Sequence, residues 1–237
     1  MKKLILSITL CCAAANFFAQ NAEPAQLVND GKAALEAKNY EVAYTNFSAY
    51  LTQTDYRDSV IAYNCGVCAD KIKKPAEALK YFDIAIRKKY NLANAYIGKA
   101  GALKNLKKDD EYVATLKEGL EENPGNPTLT RLYATYYVNQ GIMAQKAQKT
   151  DAAADAYKQA ITIQGDNVNA LNGLGTLYYS KGAAALKTNA EKAKAEFKEA
   201  KEYLDKLIPL LSAGNPNQKK MLDNAKTMIN FINTQLN

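Results

Sequence analysis

The sequence contains no histidine and no tryptophan, and only four cysteines among its 237 residues. Histidine is the side chain whose unperturbed pKa lies closest to neutrality, and its ring nitrogens are common zinc ligands. Its absence therefore argues against a histidine-dependent enzyme and against a histidine-rich metal site. We expect a non-catalytic protein with no cofactor and no metal.

The N-terminus is typical of a secretory signal peptide. Lys2 and Lys3 precede an uncharged, largely apolar run over residues 4–19. That run is shorter than the about 20 residues that a membrane-spanning helix needs. We expect residues 1–20 to be cleaved, which lowers the formal net charge from +7 to +5 because two lysines are lost. An uncleaved anchor and a lipidated N-terminus are the alternatives.

The charge of the remaining chain is mildly basic and is spread along its length without a dense lysine block. Exported proteins rarely meet nucleic acid, so we expect no nucleic-acid partner. We also expect no transmembrane segment in the mature chain. The leader indicates export. The periplasm of a Gram-negative bacterium is the favoured compartment, although the Gram-negative assignment comes from general resemblance and not from the leader, and secretion or association with the cell envelope, including the outer membrane, are the alternatives.

The rest of the sequence repeats with a period of about 34 residues. An alanine followed four residues later by an aromatic residue occurs as Ala43 and Phe47, and again as Ala78 and Phe82. Five units share a small residue at one position, namely Gly31, Gly66, Ala100, Ala134 and Gly175. They also share a large apolar residue at another, namely Phe47, Phe82, Leu116, Tyr157 and Leu204. Small residues let two helices approach closely, and a bulky side chain fills the groove between them.

This pattern resembles the tetratricopeptide repeat, a pair of antiparallel helices. The resemblance implies an all-α, right-handed α-α solenoid of about five helix hairpins over residues 21–237. The units begin near residues 24, 59, 93, 127 and 168. An apolar stripe over residues 217–236 predicts a final helix that caps the end of the last repeat.

Two units are longer than the repeat. The fourth spans 41 residues from Pro127 to Val168, and the additional seven correspond to about two helical turns. We therefore expect a lengthened helix there and not a longer loop. The fifth unit also carries additional residues, and its alanine- and lysine-rich stretch 183–195 predicts exposed helix that lengthens both helices of the hairpin by nearly two turns.

Cys65 and Cys68 form the one short motif with redox connotations. In an oxidising compartment the pair could form a disulfide or serve a thiol oxidoreductase. The repeat register, however, puts Cys65 beside the small position of Gly66, where a small apolar side chain packs. No second pair completes a zinc site. Core packing is the favoured interpretation, and the oxidoreductase is the alternative from the enzyme class.

The resemblance also implies where a partner binds, because the first helix of each pair lines the concave surface in such proteins. The corresponding polar residues are Lys32, Tyr63, Asp70, Lys71, Asn94, Lys104, Arg131, Thr135, Asn139, Asn172, Thr176 and Tyr179, with Asn169 among the further positions. Amides, hydroxyls and tyrosines suit hydrogen bonding to a peptide. We therefore expect an interaction scaffold or adaptor of the bacterial cell envelope that binds a protein or peptide partner. A small-molecule or glycan binding protein that uses the same groove is the alternative.

Overall fold

The computed structural model describes residues 22–236, so the predicted leader lies outside the described residues. The chain divides into two compact units, one ending at Leu129 and one beginning at Thr130. The helices are α1 (Pro24–Glu36), α2 (Tyr40–Gln53), α3 (Ser59–Lys71), α4 (Pro75–Arg87), α5 (Leu92–Asn105), α6 (Asp109–Glu122), α7 (Pro127–Lys146), α8 (Thr150–Ile163), α9 (Val168–Ala185), α10 (Ala190–Leu207) and α11 (Pro216–Leu236). Between residues 22 and 236 there is no strand. The predicted all-α class, with helix hairpins and a final capping helix, is confirmed.

Four hairpins turn through three residues, of which the middle one has a left-handed backbone. These residues are Lys38, Lys73, Lys107 and Gln148, with φ between 57° and 61°. The N–H of the residue that follows donates to a carbonyl five residues back, as Lys74 does to Ala69 at 2.8 Å. This Schellman arrangement satisfies carbonyls that the helix end leaves free. Glycine usually occupies the left-handed position of such a turn. None of these four positions is glycine, so the sequence has no glycine there from which the turns could be predicted.

Bulky side chains on the second helix of a pair fill spaces left by glycine on the first helices. Phe82 of α4 lies between Gly66 of α3 and Gly98 of α5. A Cβ added at Gly66 would lie 3.1 Å from the Phe82 ring, and one added at Gly98 would lie 2.4 Å from it. The ring thus joins its own hairpin to the next one. The predicted packing of small against bulky residues is what holds neighbouring hairpins together in this unit.

The second unit ends with α11, which packs on α9 and α10. Ala225 and Ile232 are its fully buried residues and belong to the same apolar core as Phe197. Phe231 contacts the Phe197 ring, with ring centroids 5.9 Å apart. The helix therefore covers an apolar surface of the last hairpin, as a capping helix does.

Helix lengths show where the additional residues of the fourth and fifth units lie. α7 has 20 residues, whereas α5 and α8 have 14 each. The extension of the fourth unit is therefore entirely in α7. In the fifth unit α9 and α10 have 18 residues each, which is about one turn more than the shorter helices and not nearly two. Residues 183–195 are not one exposed helical stretch, because a turn separates Ala185 from Ala190 and Ala185 is buried.

Candidate functional site: an amide groove in the second unit

A cavity of about 410 Å³ lies between α7 and α9 in the second unit. We call it the amide groove. Its lining residues are Thr135, Val138, Asn139, Ile142, Gln145, Tyr157, Asn167, Asn169, Asn172, Gly173 and Thr176. Amide and hydroxyl groups dominate, and none of the eleven residues carries a charge.

Helical spacing explains why these side chains share one cavity. On α7 the lining residues run from Thr135 through Asn139 to Ile142, at intervals of three or four residues. On α9 they run from Asn169 to Thr176 with the same intervals. Residues three and four apart lie on the same face of a helix, so each helix presents one continuous row to the groove.

Tyr157 of α8 is the aromatic residue in the lining, and it is held between two glycines. A Cβ added at Gly141 of α7 would lie 2.6 Å from its ring, and one added at Gly173 of α9 would lie 2.7 Å from it. The residue is only 2% exposed, and its hydroxyl donates to Oε1 of Gln145 at 3.0 Å. Burial raises the pKa of Tyr157, so the hydroxyl stays protonated and remains a donor at neutral pH.

Two of the five amides in the groove, Gln145 and Asn167, hold other parts of the structure, and the other three face the cavity. Asn167 caps α9, because its Oδ1 accepts from the N–H of Ala170 at 3.0 Å and its Nδ2 donates to Gln164 at 3.0 Å. Asn139 and Asn169 are exposed. Asn172 is half-buried. Each of these three side chains offers a carbonyl acceptor and an amino donor, which matches the pairing needs of a peptide bond.

Four of the twelve predicted site residues line the amide groove: Thr135, Asn139, Asn172 and Thr176. Asn169 lines it as well. Arg131 is exposed on α7 one turn before Thr135 and is not part of the lining. Tyr179 is half-buried, with ring centroids 5.7 Å from Phe231 and 5.9 Å from Phe197. The Tyr179 ring, which the sequence predicted to contact a partner, therefore already packs against α10 and α11.

The six predicted site residues of the first unit differ in exposure and in the contacts that they make. Lys32, Lys71, Asn94 and Lys104 are exposed and Asp70 is half-buried. Asn94 donates to Oδ1 of Asn91 at 2.9 Å. Tyr63 contacts Phe82 and Tyr90, with ring centroids 5.9 and 5.8 Å away. A cavity of about 760 Å³ in this unit is lined by Tyr56 and by the α4 face that includes Lys80, and by none of the six.

Six lining residues were not predicted from the sequence: Val138, Ile142, Gln145, Tyr157, Asn167 and Gly173. Ile142 and Gln145 lie in the extension of α7, beyond the positions that the repeat pattern describes. Tyr157 matched the bulky packing position, and that position gives no indication that one edge of the ring faces a cavity. The longer fourth unit is the sequence feature that could have indicated the residues of the α7 extension, because it adds side chains beside α9.

The two cysteines behave as core residues. Cys65 and Cys68 are free thiols that form no disulfide, and each is buried with no measurable exposure. Burial raises the pKa of Cys68 to about 11 and raises that of Cys65 further, so both are neutral thiols at physiological pH. Neutral buried thiols are poor nucleophiles and poor metal ligands. Within residues 22–236 no group of three or more acidic or cysteine side chains is placed to hold a metal ion.

Comparison with solved structures agrees with this architecture, whereas two other comparisons found no match. No family model matches the sequence, and no curated protein matches it. None of the helices in the described part of the chain is both long and apolar enough to cross a bilayer. Among solved structures, YrrB, described as a tetratricopeptide-repeat protein with an unusual peptide-binding site, matches 86% of this chain and 92% of its own at 18% identity, with a TM-score of 0.50.

A stronger match is a tetratricopeptide-repeat protein from Bacteroides fragilis. It is 46% identical, with a TM-score of 0.71, over 88% of this chain and 100% of its own. Identity at this level over nearly the whole chain, together with stacked hairpins joined by small and bulky side chains, establishes the family. This chain belongs to the tetratricopeptide-repeat family.

Proposed function

We propose that the protein is a non-catalytic scaffold of the bacterial cell envelope and that it holds a segment of a partner protein in the amide groove. The observation that carries this proposal is the convergence of Asn139, Asn169 and Asn172 on one cavity from two neighbouring helices. Their donors and acceptors are arranged along a groove, which suits the repeating amides of an extended chain.

The groove supports binding better than chemistry. It has no charged residue that could act as an acid or a base. Its buried hydroxyl, that of Tyr157, is engaged with Gln145 and has a raised pKa caused by burial. Hydrogen-bonding groups on helices favour recognition, because little backbone freedom is lost when a partner binds.

The envelope location rests on the leader, and the periplasm is the compartment that we propose. The partner is then another envelope protein, including one at the inner face of the outer membrane. Fusion of residues 1–25 to a periplasm-dependent reporter, with a variant in which Lys2 and Lys3 are replaced by glutamate, tests the location. An active reporter with the natural leader supports export, and an inactive reporter contradicts it.

Site-specific photocrosslinking in living cells tests the binding role. A photoreactive amino acid replaces Thr176, which lines the groove, and in a matched variant it replaces Thr162, an exposed threonine of α8 outside it. We expect a discrete higher-mass adduct from the first variant and not from the second. Adducts of equal yield from both positions, or none from either, contradict a partner in the groove.

The alternative ligand is a small neutral molecule or glycan. The observation in its favour is the volume of about 410 Å³, which falls within the range of about 300–1,000 Å³ for small-molecule sites. A thermal-shift screen of sugars and neutral metabolites discriminates the two. A ligand present at about 100 times its dissociation constant stabilises the folded state by about 2.7 kcal/mol, and a shift of that size that disappears in Asn172→Ala favours this alternative.

A further inference from the structure

We propose that the amide groove selects an uncharged segment carrying one apolar anchor residue, and that the extension of α7 creates this selectivity. This inference rests on the proposed function, because it specifies the partner of that same groove. It follows from three features of the groove: its lack of charge, its apolar wall, and the origin of Ile142, the exposed residue of that wall, in the added turns of α7.

The lack of charge in the groove contrasts with the composition of the whole chain. Charged residues make up 23% of the sequence, yet the groove lining has none. A partner carboxylate or ammonium group that entered the groove would lose hydration without meeting an opposite charge, which is unfavourable. Uncharged amides and hydroxyls lose less hydration, and Asn139, Asn169 and Asn172 can replace it with hydrogen bonds.

One wall of the groove is apolar. Ile142 is 39% exposed and lines the cavity, next to Val138 one turn earlier on α7. Tyr157 also lines the cavity but is only 2% exposed, so Ile142 is the exposed apolar residue of the lining. An apolar side chain of a partner that contacts this wall removes the exposed part of Ile142 from water, which is favourable. The groove therefore combines hydrogen bonding along its length with one apolar contact.

The extension of α7 supplies Ile142, the exposed residue of this wall. A helix of 14 residues, the length of α5, would end at Gln140 if it began at Pro127. Ile142 would then be absent, and so would Gln145, which accepts the hydrogen bond from Tyr157. The added turns thus bring both the apolar contact and the partner that holds the Tyr157 hydroxyl. We infer that these turns distinguish the ligand of this groove from ligands of ordinary repeats.

Selection from a library of random short peptides displayed on phage tests the proposal, with the purified mature protein as the target. We expect enrichment of peptides that lack charged residues and share one aliphatic or aromatic position. A synthetic copy of an enriched peptide is then titrated against the natural protein at about 0.1 M and about 1 M salt, over which the Debye length falls from about 10 Å to about 3 Å. The affinity should change less than about threefold.

Variants locate the anchor. Ile142→Ala should weaken the peptide by about tenfold or more, because loss of a single methylene contact in an apolar pocket already costs about that factor. Met143→Ala is the matched control, since Met143 is 63% exposed and outside the lining, and it should leave the affinity unchanged. Arg131→Gln should also leave it unchanged. Circular dichroism of each variant establishes that it is folded.

The outcomes separate the two proposals. Binding that is lost in Asn172→Ala, and that also favours charged peptides or collapses in high salt or in Arg131→Gln, overturns the selectivity and leaves the groove as the binding site. Binding that is insensitive to Asn172→Ala and Ile142→Ala in folded protein overturns both proposals. Enrichment of no peptide, together with no adduct at Thr176 in cells, does so as well.

Discussion

Tyr157 of α8 occupies the space that Gly173 of α9 leaves open, so closely that a Cβ on Gly173 would lie 2.7 Å from the terminal ring carbon. This pair connects the repeat packing to the candidate site. The ring fills the space between two hairpins, as bulky residues do elsewhere in the fold, and it is also part of the groove lining.

Replacing Gly173 with alanine should therefore destabilise the protein. The added methyl group forces the Tyr157 ring to move against Gly141 on its other side, and overpacking of this kind typically costs about 1–3 kcal/mol. The measurement is the free energy of unfolding in urea. Gly101→Ala is the control, since beyond the adjacent residues and the backbone of its own helix no atom lies within 4 Å of its added Cβ, and alanine favours a helix by up to about 1 kcal/mol over glycine. Equal effects at the two positions contradict the packing role.

For the left-handed turns we expect an effect of the opposite sign, in which a substitution stabilises the protein. Lys73 has φ of 61° in the turn between α3 and α4, where a side chain is strained and glycine is not. Lys73→Gly should therefore stabilise the fold by up to about 1 kcal/mol, as measured by urea unfolding. Lys198→Gly in the middle of α10 serves as the control and should cost about 1 kcal/mol. A loss of stability in both variants contradicts the strained turn.

The cysteines should be unreactive in the folded protein. Cys65 and Cys68 have no exposed surface, and burial raises the pKa of Cys68 to about 11. A thiol reagent at pH 8 should modify neither residue until denaturant is added, after which both should react. Reaction of either thiol in native conditions at the rate of a free cysteine would contradict the core assignment and return the redox alternative to consideration.

Alkaline pH should destabilise the first unit. Burial, and then the nearby Glu77, raise the pKa of Tyr44 to about 12, and burial also raises the pKa of Tyr81 above its ordinary value of 10.0. Because the folded state binds these protons more tightly than the unfolded state, their contribution to stability is complete below about pH 10 and is lost as the pH rises towards 12.

Urea unfolding at a series of pH values, with tyrosinate absorbance recorded alongside, measures this effect. The variant Tyr44→Phe should show a shallower decline in stability above pH 10 than the natural protein. A decline of identical slope in the two proteins contradicts the assignment of the raised pKa to Tyr44.

The sequence predicted the helices and their packing because both depend on short-range spacing. Gly66 and Phe82 stand at repeat positions, and the contact between them follows from that register. The groove depends on the length of one helix relative to its neighbour. The repeat pattern predicted a lengthened helix in the fourth unit, but it does not say which helix is longer or which of the added side chains face α9, and so Ile142 and Gln145 were missed.

Tyr179 illustrates a second limit. Its repeat position indicated an accessible aromatic side chain, but Phe231 of α11 contacts it. The apolar stripe that predicted this last helix did not include Phe231, because a stripe identifies the buried face of a helix and not the contacts at its margins. The stripe consists of Met221, Leu222, Ala225, Met228, Ile229, Ile232 and Leu236. Contacts between a capping helix and the last hairpin depend on their relative rotation, which periodicity alone does not fix.

Occupancy of the amide groove in the native envelope is the most direct test of a partner-binding scaffold. Thr176→Cys and, separately, Thr162→Cys are introduced into a chain in which Cys65 and Cys68 are alanine, and maleimide labelling rates are compared between envelope extract and purified protein. If a partner occupies the groove, Thr176→Cys should be labelled several-fold more slowly in the extract while Thr162→Cys is unchanged. Equal rates in extract and in purified protein at both positions would contradict occupancy of the groove.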